Sequence, residues 1–422
     1  MRKKIVKHYK KSVFFQNLTK VFTGNVFAQL ILVGISPLLT RVYSPSDFGV
    51  YGGYASLLGI FLVISSCAYE KAIPIEKKSV QSYHLILLCL LISTLFFILG
   101  IGIYLTVGWS VFNLINLSVS FWLPILFSIG LYAASIQQIL NYWSIKKNEF
   151  SDLSFSKIYQ SSVNVSMQLF FSKLTLSDGI GLVGGDLLGR VVASLYLMSR
   201  FAKSKKSKFS WKIMGNQIMK YRKFPLLGTP SLLLNNLSLQ LPTLIFISYF
   251  GSELSGQFSL AQRTIGMPIS MITLSLGQVF YGNASSLVET NRPKLVQNYF
   301  KLTMHLTMIF LIPMILFMFF APHLFLFLFG SNWILAGKFA RMLTPMFFSQ
   351  IIVIPISQIL YITNNQLVQL IWDSTRFLLV VVGFMLLKWF DLGIEVSVLF
   401  YSISMTFSYV LLYLLGIKSL QK

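Results

Sequence analysis

The feature that most constrains this chain is a series of apolar runs, each long enough to cross a bilayer. A helix that spans a bilayer needs about 20 mostly apolar residues, whereas a strand of a membrane barrel is about half as long and alternates apolar with polar residues. The runs therefore predict spanning helices, which satisfy every backbone hydrogen bond within the chain. The twelve predicted spans are 18–40, 50–69, 83–107, 118–145, 156–174, 179–200, 225–250, 258–283, 298–321, 339–363, 367–388 and 392–415.

Composition excludes a soluble protein of this length. Of the 422 residues, 55% are hydrophobic and 11% are charged, so a water-facing surface could not be covered with polar groups. The net charge of +23 would otherwise suggest nucleic-acid binding. Such binding needs a folded basic surface, and no segment outside the spans is long enough to supply one. Nucleic acid is therefore not an expected partner.

The basic residues explain the charge by their positions. We place 27 of the 35 lysines and arginines on one side of the membrane and three inside helices. An excess of Lys and Arg marks the cytoplasmic side of a membrane protein. Both termini are therefore predicted to be cytoplasmic. The five basic residues on the other side are Arg41, Lys173, Lys338, Arg341 and Lys388.

The clearest internal boundary is the segment 203–223, which carries eight basic residues and no acidic one. It divides the chain into an N-terminal six-helix lobe over 1–200, a basic cytoplasmic linker over 201–224 and a C-terminal six-helix lobe over 225–422. Six spans in each half give the two halves the same orientation. The sequence therefore predicts an all-α integral membrane protein whose lobes are related by a pseudo-two-fold axis along the membrane normal.

The two halves also share a faint signature on the predicted external side. The first half has Pro37 and then the segment 44–51 (SPSDFGVY), and the second has Pro242 and then 251–258 (GSELSGQF). Each combines a helix proline, an acidic turn and a glycine followed by an aromatic residue. The pattern favours a two-lobed transporter with its pathway between the lobes.

No motif in the sequence indicates an enzyme. The dipeptide Gly337-Lys338 lacks the upstream glycine of a phosphate-binding loop and is not followed by Ser or Thr. The four histidines are isolated, and no carboxylate pair or cluster of metal ligands can be recognised. We therefore expect no catalytic residue, no metal and no cofactor.

Ionisable residues inside the spans are the candidates for function, because charges in a bilayer are costly. Asp186 and Arg190 lie four residues apart on one predicted helix, and Asp373 and Arg376 lie three apart on another. Pairs at these spacings can neutralise each other within one helix. Each pair is therefore either structural or part of substrate binding and ion coupling.

Two further arginines lack such a neighbour. Arg263, in the eighth predicted span, has no acidic residue within one helical turn, so it is the best candidate to hold an anion by bidentate contacts. Alternatively, it reaches the interface or pairs with Glu253. Arg41, at the external end of the first span, either guards the exit or pairs with Asp47.

Some segments of the chain are more specific than its apolar runs. These segments are 39–51 (LTRVYSPSDFGVY), 69–73 (YEKAI), 138–150 (QILNYWSIKKNEF), 259–268 (SLAQRTIGMP) and 277–281 (GQVFY). They resemble Wzx-type O-antigen and capsular polysaccharide flippases of the multidrug/oligosaccharidyl-lipid/polysaccharide (MOP) exporter superfamily. The resemblance covers nearly the whole chain.

The resemblance implies a flippase that moves undecaprenyl-diphosphate-linked oligosaccharide repeat units from the cytoplasmic to the outer leaflet of the bacterial inner membrane by alternating access. Such transport serves O-antigen, lipopolysaccharide or capsule synthesis. Lipid II flippases of the superfamily carry an arginine in the eighth span, which Arg263 is similar to. They also carry one in the first span, where this chain has Asn25 and Gln29. These amides, with Arg41, Arg190 and Arg376, are the further candidates for substrate binding.

The implied partners are the lipid-linked oligosaccharide and membrane lipids, with a polysaccharide polymerase and a chain-length regulator as further candidates. Three other functions stay open. A cation-coupled multidrug exporter should offer free acidic side chains, and a membrane polymerase or ligase should display catalytic residues on a long external loop. A structural subunit of an assembly complex would leave the charges within the spans without an explanation.

Overall fold

The computed structural model describes residues 23–114, 122–174, 179–204, 208–285, 287–288, 290–363 and 365–421. Within these residues the fold is all-α, as predicted, and contains no strand. The helices are α1 Thr23–Val42, α2 Pro45–Ile64, α3 Ser79–Leu114, α4 Leu123–Lys147, α5 Phe150–Ser172, α6 Ile180–Ala202, α7 Trp211–Lys220, α8 Thr229–Ser285, α9 Arg292–Phe329, α10 Ile334–Ser357, α11 Ile359–Ile362, α12 Gln366–Trp389 and α13 Ile394–Gln421.

Ten helical stretches of the described chain are long and apolar enough to cross a membrane. One of them contains α8, which has 57 residues and is interrupted at Gly251 by a non-helical backbone (φ 83°, ψ 172°). Glycine tolerates this positive φ, so two successive spans meet there. Helix α5 has 23 residues but is less apolar than these ten stretches. With α5 and the two parts of α8 counted separately, twelve segments of spanning length result.

Local signals in the sequence set the ends of several helices. Asn291 caps α9 by accepting a hydrogen bond from the Lys294 backbone N–H (3.1 Å), and Gly330 ends the helix at φ 96°. Helix α4 ends at Asn148 in the left-handed conformation (φ 60°), directly after two lysines that favour a helix C-terminus. These caps place the turns where polar residues interrupt the apolar runs.

The chain divides into two compact units. The first contains residues 1–39 and 53–236, and the second contains 40–52 and 237–422. The end of α1 and the start of α2 therefore pack with the C-terminal half of the chain. The predicted division at 201–224 stays a prediction.

In the first unit, α5 and α6 form a close pair, and the short amphipathic helix α7 packs against α3. Met214 of α7 is buried, and the Tyr69 hydroxyl donates to the backbone oxygen of Ile218 (3.3 Å). In the second unit, α10 lies against both α9 and α13. Helix α9 is the most exposed of the long helices. In an apolar segment of 18 residues, 11% of the residues of α9 are buried, against 56% in the stretch that contains α10.

Candidate functional site

Asp186 and Arg190 form an ion pair on α6. The Arg190 Nε lies 2.6 Å from Asp186 Oδ2, and Asn164 of α5 donates to Asp186 Oδ1 (3.2 Å). The Asp186 side chain is 5% exposed and that of Arg190 is 20% exposed. The carboxylate is therefore matched by one cation and one amide within the α5–α6 pair.

Two glycines allow α6 to approach α5 this closely. A Cβ on Gly185 would lie 2.8 Å from the backbone oxygen of Asn164, and one on Gly189 would lie 2.6 Å from that of Gln160. Small residues four apart let helix backbones come together. The same contact brings Asn164 within reach of Asp186, so the ion pair is built into the helix packing.

The second pair, on α12, is the more deeply buried. Arg376 Nη2 lies 3.1 Å from Asp373 Oδ1, and neither side chain is more than 5% exposed. Gln369 donates to the other carboxylate oxygen (3.3 Å), and the guanidinium lies over the Trp372 ring at 4.4 Å. The charges are matched within two turns of one helix, with an aromatic face beneath the cation.

Arg263, on the second part of α8, is held differently. Its guanidinium lies over the Tyr51 ring at 5.3 Å, and its Nε and Nη1 atoms are buried without a hydrogen-bond partner among the described residues. Within those residues no carboxylate lies at ion-pair distance. The alternative partner Glu253 is exposed and makes no ion pair with it in this part of the chain. The Arg263 side chain as a whole is half-buried. Because two of its donors are unmatched, it can accept an anion without breaking an existing hydrogen bond.

The two related signatures of the sequence place Arg263 beside Tyr51. A Cβ on Gly49 would lie 1.9 Å from the Ser252 backbone oxygen, and one on Gly256 would lie 1.7 Å from that of Pro45. The Ser46 and Ser252 hydroxyls are 2.7 Å apart. Because the glycines have no side chain, the start of α2 and the second part of α8 meet backbone to backbone.

Trp333 also packs against the end of α1 and the start of α2. Its Nε1 donates to the Thr40 backbone oxygen (3.0 Å), and its ring meets that of Phe48 edge to face at 5.0 Å. Trp333 and Phe48 are almost fully buried. The start of α2, which carries Tyr51, is therefore closely packed, while the Nε and Nη1 atoms of Arg263 stay unmatched among the described residues.

Asn25 and Gln29 lie one turn apart on α1, in the first unit. The side-chain oxygen of each is buried without a hydrogen-bond partner among the described residues. Arg41, at the end of α1, is exposed. Its alternative partner Asp47 accepts hydrogen bonds from the backbone N–H and the hydroxyl of Ser44, each at 2.8 Å. The structure thus places the amide candidates in one unit and Arg263 in the other.

Sequence reasoning missed two buried carboxylates in the turn between α2 and α3. Glu70 is 1% exposed and accepts from Ser66 (2.6 Å) and Gln138 (3.0 Å). Glu76 is 3% exposed and accepts from Lys220 (2.5 Å) and the Tyr221 hydroxyl (3.0 Å). Glu70 stands in the YEKA segment of the resemblance. In the sequence around Glu76 no local pattern predicts that its side chain is buried.

The contacts of Glu76 shift its pKa. Burial by itself raises the pKa of a carboxyl, but the hydrogen bonds from Lys220, the Lys78 backbone and Tyr221 outweigh it, so the pKa of Glu76 is lowered. The hydrogen bond to Glu76 in turn raises the pKa of Lys220. Glu76 and Lys220 thus form a charged contact between the turn and α7. The described residues contain no group of three His, Cys, Asp or Glu side chains that could hold a metal.

Comparison with known structures identifies the fold. The chain matches a multidrug resistance transporter of the MATE family of the MOP superfamily, in an inward-facing conformation, with a TM-score of 0.73, 18% identity and coverage of 95% of this chain and 94% of that one. It matches the lipid II flippase MurJ, in an inward closed conformation, with a TM-score of 0.66, 16% identity and coverage of 97% and 87%. A MOP superfamily transporter from Pyrococcus furiosus gives a TM-score of 0.62 at 17% identity, with 96% of each chain covered.

No curated protein sequence matches this chain significantly. The family model described as polysaccharide biosynthesis protein matches residues 38–337, which is well over half of the chain and includes Arg41, the Asp186–Arg190 pair and Arg263. The predicted resemblance to the MOP superfamily is confirmed by these matches. The chain is a multi-pass membrane protein that belongs to the polysaccharide biosynthesis protein family and has the fold of MOP superfamily transporters.

Proposed function

We propose that this protein is a flippase for undecaprenyl-diphosphate-linked oligosaccharide repeat units. It would carry them by alternating access from the cytoplasmic to the outer leaflet of a bacterial inner membrane, with both termini in the cytoplasm. Transfer would supply the synthesis of O-antigen, capsule or another surface polysaccharide. The proposal rests chiefly on Arg263, a half-buried arginine whose Nε and Nη1 are buried and unmatched among the described residues, in a chain of a polysaccharide biosynthesis family.

The chemistry of the substrate explains why such an arginine is useful. A diphosphate cannot enter hydrocarbon without partners, because burying an unpaired charge is prohibitive. A guanidinium offers a planar set of donors that suits phosphate oxygens, and its charge does not depend on pH. We assign Arg263 to the diphosphate. Asn25 and Gln29, whose side-chain oxygens are unmatched, are assigned to the hydroxyl groups of the sugars.

The other charged candidates fit a structural role better. Asp186 and Asp373 each have an arginine within hydrogen-bond distance on the same helix. A free acid that could attract a cationic drug or a coupling ion is therefore lacking at both positions. This favours a flippase over a cation-coupled multidrug exporter, although transporters of that kind share the fold. Arg41 is assigned to the outer end of the path.

The decisive experiment locates the lipid-linked oligosaccharide in cells from which this protein has been depleted. The cells are complemented with wild type, Arg263→Ala, Arg263→Lys or Arg341→Ala. The last is the matched control, because Arg341 is an exposed arginine of α10. We expect Arg263→Ala to leave the intermediate on the cytoplasmic face and to abolish surface polysaccharide. Arg263→Lys should restore it in part, since lysine keeps the charge but loses the bidentate geometry.

Three outcomes would contradict the proposal or the part of it that rests on Arg263. Single repeat units that accumulate on the outer face would mean that flipping is intact and that the missing step is polymerisation or ligation. Normal surface polysaccharide with Arg263→Ala, at a protein level equal to that of wild type, would remove Arg263 from the mechanism. A loss of drug resistance without any change in polysaccharide would favour the exporter function.

A further inference from the structure

A groove lies between the C-terminal end of α8 and the N-terminal part of α9, within the second unit. Its volume is about 350 Å³, and it is lined by Leu276, Val279, Phe280, Asn283, Ala284, Asn298, Lys301, Leu302 and His305. Arg263 and Asn283 are separated by twenty residues of α8, or about 30 Å of helix at 1.5 Å per residue. The groove is therefore distant from the proposed substrate contact and lies at the side predicted to be cytoplasmic.

The chemistry of the lining is that of a site for a lipid phosphate. Lys301 and His305 lie one turn apart on α9, two asparagines add amide groups, and no acidic residue lines the groove. The His305 Nδ1 lies 2.6 Å from the Lys301 backbone oxygen, which can only accept, so Nδ1 is the donor in this contact. In the imidazolium form the ring has a second N–H at Nε2, which can donate to a phosphate oxygen. The remaining residues are apolar. A phosphate fits the charged end and hydrocarbon fits the rest.

The groove belongs to a helix that faces lipid. Helix α9 buries only 11% of its most apolar window, and Met304 and Met308, one turn apart, are 58% and 61% exposed. A lipid acyl chain that extends from the groove along these methionines would stay in the hydrocarbon of the bilayer. The volume suits a phosphate with its nearest carbons and is small for an oligosaccharide.

We propose that this groove binds an anionic glycerophospholipid of the leaflet predicted to be cytoplasmic, with Lys301 and His305 on its phosphate. The proposal does not depend on the flippase function. A resident lipid at this position would seal the gap between the ends of two helices. It would also make activity depend on the anionic lipid content of the membrane.

The test measures binding of fluorescent phosphatidylglycerol and phosphatidylcholine to the purified full-length protein in detergent. The test variant is Lys301→Gln with His305→Gln. The matched control is Lys294→Gln with His323→Gln, which removes an exposed lysine and an exposed histidine from the same helix outside the groove. We expect wild type and control to prefer phosphatidylglycerol. The test variant should lose that preference, on the order of fivefold for each basic side chain that contacts the anionic lipid.

A second variant guards against a folding artefact. Val279→Trp should fill the apolar wall of the groove and weaken both lipids while leaving the charges in place. The proposal is overturned if the control loses the preference as the test variant does, or if wild type binds both lipids equally. Displacement of phosphatidylglycerol by inorganic phosphate would mean a free anion site, and displacement by equimolar polyprenyl diphosphate would mean a substrate site.

Discussion

The arginines of α6 and α12 and the arginine of α8 all lie in apolar helices, but they are held in different ways. Arg190 and Arg376 each contact an aspartate of the same helix, at 2.6 Å and 3.1 Å. Arg263 contacts the face of Tyr51, and two of its nitrogens have no partner among the described residues. The first arrangement cancels charge within one element, whereas the second keeps a cation available.

The difference indicates which of these arginines can bind an anion. A guanidinium already engaged by a carboxylate must break that contact before it can bind a phosphate. An aromatic face stabilises a cation by about 0.5–2 kcal/mol and leaves its donors unused. The backbone contacts at Gly49 and Gly256 hold Tyr51 and Arg263 in place without consuming those donors. Arg263 is therefore supported by an aromatic face, and two of its buried donors stay unmatched among the described residues.

The largest effect should come from giving Arg263 the same partner that Arg190 has. Ser259 is four residues before Arg263, the spacing of Asp186 to Arg190, and its hydroxyl is buried without a partner among the described residues. We expect Ser259→Asp to reduce transport to background, because the new carboxylate would occupy the guanidinium. Surface polysaccharide, normalised to protein level, is the readout.

Ser259→Asn is the matched control, because it has nearly the same shape and no charge. It should retain most of the transport that Ser259→Asp loses. Equal loss in both variants would mean that the site is limited by space beside Gly52 rather than by the charge of Arg263.

The next effect tests the deeper of the two matched pairs. Arg376→Ala should lower the stability of the detergent-solubilised protein by about 3–5 kcal/mol, because it leaves Asp373 charged and buried. Arg190→Ala should cost less, since Arg190 is 20% exposed and Asp186 keeps its bond from Asn164. Thermal unfolding followed by circular dichroism measures both.

The double variant Asp373→Asn with Arg376→Gln separates pairing from packing. It should be more stable than Arg376→Ala, because no charge is left unmatched. If it retains transport as well, the α12 pair is structural. A double variant as unstable as the single one would mean that the aromatic contact with Trp372, and not charge matching, holds this region.

A smaller effect is expected from the glycine contact that positions Arg263. In Gly256→Ala the new Cβ would lie 1.7 Å from the Pro45 backbone oxygen, so α2 or α8 must move. We expect a loss of about 1–3 kcal/mol and a parallel fall in transport. Gly282→Ala, on the same helix with nothing within 4 Å, should be neutral or slightly stabilising. Equal behaviour of the two variants would contradict the backbone contact.

The sequence was sufficient for the fold class, because lipid residence imposes both apolar composition and minimum length on every spanning helix. It was less accurate at the ends of the helices. The predicted spans 83–107 and 298–321 correspond to α3 Ser79–Leu114 and α9 Arg292–Phe329. Hydropathy reports which residues lie in lipid, whereas a helix continues into polar residues until a cap or a glycine ends it.

The candidate site shows the same limit: its local properties could be predicted from the sequence, and its long-range contacts could not. The sequence shows that Arg263 has no acid within one turn, and this property survives in the structure because it is local. It does not show that Tyr51 lies beneath Arg263 or that Lys220 reaches Glu76, since these partners are 212 and 144 residues apart. Glu76 lies outside the predicted spans, and hydropathy alone does not show that tertiary contacts bury its side chain.

The smallest expected effect is at Glu76, which pairs with Lys220. Unlike the three arginines, this pair lies outside the predicted spans. The pKa of Glu76 is lowered in the folded protein, so its contribution to stability is present above the pKa of the unfolded chain and is lost as the pH falls through the folded value. In that pH range we expect the contact with Lys220 to be lost in wild type as the pH falls, so that the backbone amides of α7 lose protection. The exchange rates are compared with those of Glu76→Gln at the same pH, because that variant lacks the charged contact at every pH. Hydrogen–deuterium exchange measures this. Glu149→Gln, in an exposed turn, should follow wild type; an unchanged response in Glu76→Gln would show that the contact with Lys220 does not hold α7 in place.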